Sequence, residues 1–119
     1  MVNVLPNAEN AVIPIEKFIN YSLDVDKDYN KATAFRLALG YTAHNATGLI
    51  ENIRKSIYCY TAVYKGNNGY GETYECVVEL IGENNCRANV LTSWIIINGT
   101  DYPRLTNAYI TKKKARKFT

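Results

Sequence analysis

At Tyr58 the hydrophobic period of this chain changes from 3.6 to 2, and that switch limits the fold more than any other feature. Before it, apolar residues return every three or four positions: Ile15, Phe18 and Ile19, then Phe35, Ala38 and Leu39, then Leu49, Ile50, Ile53 and Ile57. The spacing predicts three helices. One runs from Pro14 to about Ser22, a second is capped by Asp28 or Asn30 and stopped by Gly40, and a third runs from near Asn45 through Ile57. After Tyr58, β-branched and aromatic residues predict strands over 58–65, 73–81, 86–97 and 102–110, separated by GNNGYG, GENN and NGTD. In the second strand Tyr74, Cys76, Val78 and Leu80 alternate with Thr73, Glu75, Val77 and Glu79, so one face belongs to a core and the other to water. The third strand ends apolar on both faces, as a central strand does. Pairing residue 81 with 86 across GENN would set Cys76 opposite Leu91. Helices followed by strands predict an α+β fold: two or three N-terminal helices on one face of a four-stranded, mostly antiparallel sheet, with short loops favouring a meander.

A chain of 119 residues suits one domain, over 1–111, with 112–119 as a basic disordered tail. The formal net charge of +3 belongs to that tail. Five of the 14 bases (Lys112, Lys113, Lys114, Arg116, Lys117) lie there, which leaves nine against eleven acids in the body. Ten Tyr against three Phe suit strands with one exposed face, and binding surfaces as well. Three cysteines without CxxC spacing and a single histidine give too few ligands for structural zinc and no disulfide framework, so neither metal nor cofactor is expected. No stretch reaches the length of a membrane span and the N-terminus lacks the pattern of a signal peptide, so the expected setting is the cytoplasm, away from membranes.

Few motifs carry chemistry. Asp24, Asp26 and Asp28 have the spacing of a calcium loop, but Tyr29 stands where the glycine belongs. GNNGYG joins two strands and opens no helix, so it is no phosphate loop. Glu75 and Glu79 read as a solvated strand face. His44, in a polar stretch between two helices, is either a general acid or base or an exposed loop residue. The bases outside the tail are more suggestive: Lys17 and Lys31 on helices, Arg87 and Arg104 on the last two strands, beside Thr92, Trp94, Thr106 and Tyr109. Cleavage of RNA by its own 2′-OH needs cations for the phosphorane, groups that move a proton, and a stacking surface. These residue types supply all three without metal. The plainer alternative makes Arg104 and Thr106 ordinary strand residues and Trp94 a core residue.

The segments LPNAENAVIP with Lys17, Tyr21-x-Leu23, Lys31 with Phe35 and LGY, TSWI around Trp94, and PRL-x-x-AY at 103–109 together resemble an uncharacterised domain family. Its members form the C-terminal modules of polymorphic and contact-dependent, filamentous-haemagglutinin-like bacterial toxins and also occur as short free-standing proteins. The resemblance implies a toxin setting and an organisation similar to barnase, EndoU, colicin and RelE-like RNase toxins, whose sheet carries the active site. Lys17, Lys31, Thr92, Trp94, Arg104 and Tyr109 match its recurring pattern; His44 does not. The resulting expectation is a metal-independent endoribonuclease of a toxin or phage-related system. Lys31, Arg104, Thr92, Thr106, Tyr109 and His44 would be catalytic, and Lys17, Arg87, Trp94, Lys112, Lys113 and Lys114 would hold the RNA. An acidic immunity protein is an expected partner. The rival expectation is a non-catalytic binding protein, an inhibitor or adaptor that meets a nucleic-acid enzyme through its sheet and basic tail.

Overall fold

A computed structural model describes residues 4–118. Two helices and four strands follow one another in the order α1 (Tyr29–Leu39), α2 (Ala46–Ser56), β1 (Ala62–Asn67), β2 (Gly71–Ile81), β3 (Arg87–Ile97) and β4 (Arg104–Thr111). The sheet is an antiparallel meander in the order β1-β2-β3-β4. The α+β architecture, with helices preceding a four-stranded sheet, is therefore the one the change of period predicts.

Local chemistry explains the boundaries. The Asp28 carboxylate accepts from the Lys31 N–H at 3.0 Å and caps α1, and Gly40 ends it with φ 76°. Ahead of α1, the helix expected from Pro14 to Ser22 is shorter: Phe18–Ser22 forms a widened π-type turn in which the Leu23 N–H reaches back to the Phe18 carbonyl at 2.7 Å. The core lies between the helices and one face of the sheet. Phe18, Phe35, Leu39, Leu49, Ile53 and Ile57 from the helical half meet Cys76, Val78, Leu80, Val90, Trp94, Leu105 and Ala108 from the strands. Among the described residues, the opposite face carries no helix.

Two corrections concern the strands. β1 starts at Ala62 and not at residue 58, because the backbone of residues 59–61 bonds elsewhere. The β2–β3 register is one residue off the expected one. Ile81 pairs with Arg87, so Cys76 faces Thr92 and not Leu91. The connection is longer than GENN suggests: the Gly82 N–H bonds the Cys86 carbonyl at 2.8 Å and Asn85 takes φ 63°, so all of 82–86 is turn.

Residues 112 to 118, which composition alone reads as a disordered end, run back across the sheet. The Thr61 N–H bonds the Arg116 carbonyl and the Phe118 N–H bonds the Cys59 carbonyl, each at 2.8 Å. Asn89 Nδ2 donates to the Lys113 carbonyl at 2.9 Å, and Ala115 packs against the core. No described helix is long and apolar enough to cross a membrane.

Candidate functional site on the open sheet face

The register places a cross-strand set of side chains on the helix-free face. Val63, Glu75, Ser93 and Asn107 form one row; Val77, Leu91 and Tyr109 a second; Thr73, Ile95 and Arg104 a third. Leu91 is fully buried although it lies outside the helical core. Both edge strands bulge beside these rows, β1 between Tyr64 and Gly66 and β4 between Leu105 and Asn107. A bulge adds one residue and re-aims it. Here the extra residues are Lys65 and Thr106, and both line one cavity of about 280 Å³ together with Thr73, Glu75, Ser93 and Ile95.

A second, larger cavity of about 590 Å³ continues from the first and shares Lys65 and Glu75 with it. The returning tail forms its other wall, through Lys113, Lys114 and Arg116. Lys113 Nζ lies 3.7 Å from the half-buried Glu75 carboxylate. Glu75, which sequence reasoning set aside as a solvated residue, thus sits among Lys65, Lys113 and the Thr73, Ser93 and Thr106 hydroxyls. The strand alternation puts it on this face; no pattern in the chain announced the two bulges or the path of the tail.

A third cluster occupies the outer edge of β4. Lys17, Tyr21, Lys31, Thr106 and Asn107 line a small cavity of about 180 Å³ there. Lys31 Nζ donates to Asn107 Oδ1 at 2.8 Å, lies 3.8 Å from Asp28, and stands 5.8 Å from the centre of the Tyr109 ring. Lys17 stands 5.9 Å from the Tyr21 ring. Four of the sequence-derived residues, Lys17, Lys31, Thr106 and Tyr109, therefore meet along β4, and Arg104 is exposed at the start of that strand.

The other sequence-derived residues lie elsewhere. Thr92 is fully buried; its hydroxyl donates to the Cys76 carbonyl at 2.6 Å and accepts from the Trp94 indole N–H at 2.8 Å. Trp94 is 1% exposed, which leaves no ring face for an RNA base. Both residues point into the core. His44 is exposed in a turn that packs on α2 and on the 18–22 turn, in the helical layer and across the sheet from Glu75. Arg87 pairs with Glu79 at 3.4 Å, at the opposite end of β3 from Arg104's partner Ile95. Eight residues at ~3.3 Å each put roughly 26 Å between them, too far for one phosphate. Lys112 and Lys114 are exposed on the tail. Among the described residues no group of three or more His, Cys, Asp or Glu is placed to hold a metal ion.

The open face thus offers a carboxylate beside ammonium groups, several hydroxyls, and a basic strap held in place by backbone hydrogen bonds. Comparison with known proteins adds a family and nothing on activity. No curated protein and no solved structure matches the chain significantly. The model of a domain of unknown function, DUF6883, matches residues 4–112, nearly the whole sequence. The chain belongs to the DUF6883 domain family.

Proposed function

We propose that this domain is a metal-independent endoribonuclease that binds RNA across the open face of its sheet and cleaves it by transesterification. The observation that carries the proposal is the placement of Glu75, half-buried beside Lys65 and Lys113 and among hydroxyls, where two strand bulges and the tail converge. In this reading the Glu75 carboxylate takes the proton of the ribose 2′-OH, the 2′-oxygen attacks the adjacent phosphorus, and the 5′-oxygen leaves with a proton from a neighbouring donor. Lys65, Lys113 and Arg104 offset the charge of the phosphorane. Lys31, bonded to Asn107, and the Tyr109 ring 5.8 Å from its ammonium form the far end of the surface along which the strand lies. The resemblance of the LPN, TSWI and PRL-x-x-AY segments to toxin modules supports a toxin or phage-related setting, with an acidic immunity protein as the partner that would cover this face.

A second reading, a non-catalytic RNA- or enzyme-binding domain, draws on the position of His44, the one histidine, in the helical layer away from the face. Incubation of the purified chain with a labelled oligoribonucleotide in EDTA separates the two. The nuclease reading expects a 2′,3′-cyclic phosphate product, formed about 10²-fold or more slowly by Glu75→Gln; Arg104→Ala slows cleavage as well. RNA binding without cleavage by the unmutated chain leaves the binding reading.

A further inference from the structure

The larger cavity beside Glu75 has a composition that RNA cleavage alone does not require. On its sheet floor Val63 and Val77 form an apolar patch beside Glu75 and Thr61. Around that floor stand four cationic side chains, Lys65, Lys113, Lys114 and Arg116, against one carboxylate among the described residues, Glu75. At about 590 Å³ it falls within the range of cavities that enclose small ligands.

Its basic wall is also held in advance. Arg116 is anchored through its carbonyl, which accepts from the Thr61 N–H at 2.8 Å and the Thr61 hydroxyl at 3.3 Å. Lys113 is fixed through its carbonyl on Asn89 and through its N–H on the Thr111 hydroxyl at 3.1 Å. A basic end left to solvent would lose chain entropy on meeting an anion; here folding has already taken most of that loss. Cations in excess and an aliphatic patch on the floor together fit a ligand that is anionic at one end and planar and weakly polar at the other.

We infer that this tail-walled cavity is a binding site for a nucleoside monophosphate unit, free or at an RNA terminus, with the phosphate between Lys113, Arg116 and Lys65 and the base on Val63 and Val77. The choice of ligand rests on the RNA reading above, and the site deepens it by naming where one nucleotide of the strand is held. The carboxylate of Glu75 repels the phosphate, so it limits the affinity of the resting site.

Titration of the full chain with 5′-AMP, adenosine, inorganic phosphate and polyglutamate, followed by amide NMR shifts, tests it. The expected result is binding of 5′-AMP about tenfold or more tighter than adenosine or phosphate, with shifts at Val63, Lys65, Val77 and 113–116. The Lys113→Gln, Arg116→Gln double variant weakens it about tenfold or more, Glu75→Gln tightens it a few-fold, and Arg87→Gln leaves it unchanged. A 5′-phosphorylated oligoribonucleotide that binds more tightly than its 5′-hydroxyl form identifies the RNA terminus as a source; equal binding by the two identifies the free nucleotide. Phosphate binding as tightly as 5′-AMP, polyglutamate competing equally well, or shifts confined to other residues would overturn the inference. The two proposals fail separately: RNA cleaved by a chain that ignores 5′-AMP removes this site alone, and 5′-AMP bound by a chain that never cleaves RNA removes the nuclease alone.

Discussion

The Thr92 hydroxyl works inside the sheet. It donates to the Cys76 carbonyl and accepts from the Trp94 indole, so it satisfies two buried polar groups that have no water to turn to. Thr92→Val keeps the shape and removes both bonds, and is expected to cost about 1–3 kcal/mol, read as a lower urea midpoint with unchanged RNA binding. Thr92→Ser should recover most of that loss. A fall in RNA binding or cleavage at unchanged stability would return Thr92 to the proposed RNA site. Cys76 beneath it shows the same burial by another measure: desolvation pushes its thiol up to about 12 from an ordinary 9.0. Because the folded value is raised, the thiol's contribution to stability is complete below about 9 and is lost as pH climbs from there toward about 12. The native chain at pH 8 should therefore expose only Cys59 and Cys86 to a disulfide reagent, with Cys76 reacting on unfolding. Within β1, the exposed Tyr64 donates to the Glu72 carboxylate. That bond raises the phenol and, with Asn67, lowers the carboxylate, so the pair strengthens above the ordinary carboxylate range and weakens as Glu72 is protonated.

At the scale of elements, the connection between β2 and β3 decides what the sheet presents. Gly82 sits against the last turn of α1, where an added Cβ would stand 2.5 Å from Leu39 Cα and closer still to its carbonyl oxygen. No rotamer relieves a clash with backbone. Gly82→Ala should push the end of α1 off the sheet and cost about 1–3 kcal/mol or more, visible as a reduced melting temperature, whereas Gly99→Ala meets open space and pays only for its positive φ. The same five-residue turn explains why the register could not be read from the chain. Alternation identified the two faces of β2 correctly, but turn length sets which residue of β3 opposes which, and a difference of one moves every partner. The bulges behave likewise. Lys65 and Thr106 look like ordinary strand residues in one dimension, and only the closure of β1 on β2 and of β4 on β3 shows that each is surplus to its ladder.

For the molecule as a whole, the tail changes from an appendage into a part of the surface. Its bases give the chain its positive net charge, and its backbone bonds lay three of them along the wall of the open face. Truncation after Thr111 is therefore expected to act twice. It should lower stability by about 1–2 kcal/mol, since several hydrogen bonds and the Ala115 contact are lost against a gain in chain entropy. On the proposed function it should also flatten the salt dependence of RNA binding by roughly two to three units of slope, the equivalent of three to four phosphate contacts. Denaturation curves and binding isotherms at several salt concentrations check both; a truncated chain unchanged in stability and in slope would make the tail irrelevant to either.

What the sequence determined by itself is the succession of elements and the inward face of each, because hydrophobic period and capping residues are local properties of the chain. It also marked Lys17, Lys31, Thr106 and Tyr109, which the fold does gather along β4. What only the tertiary structure decided is the chemistry of the open face: Glu75 beside Lys113, Lys65 and Thr106 turned toward it, Trp94 and Thr92 withdrawn into the core, and His44 left across the sheet. The physical reason is that side-chain direction in a sheet depends on register, and register depends on turns, bulges and a returning tail. Those are contacts between residues far apart in the chain, which no local pattern encodes.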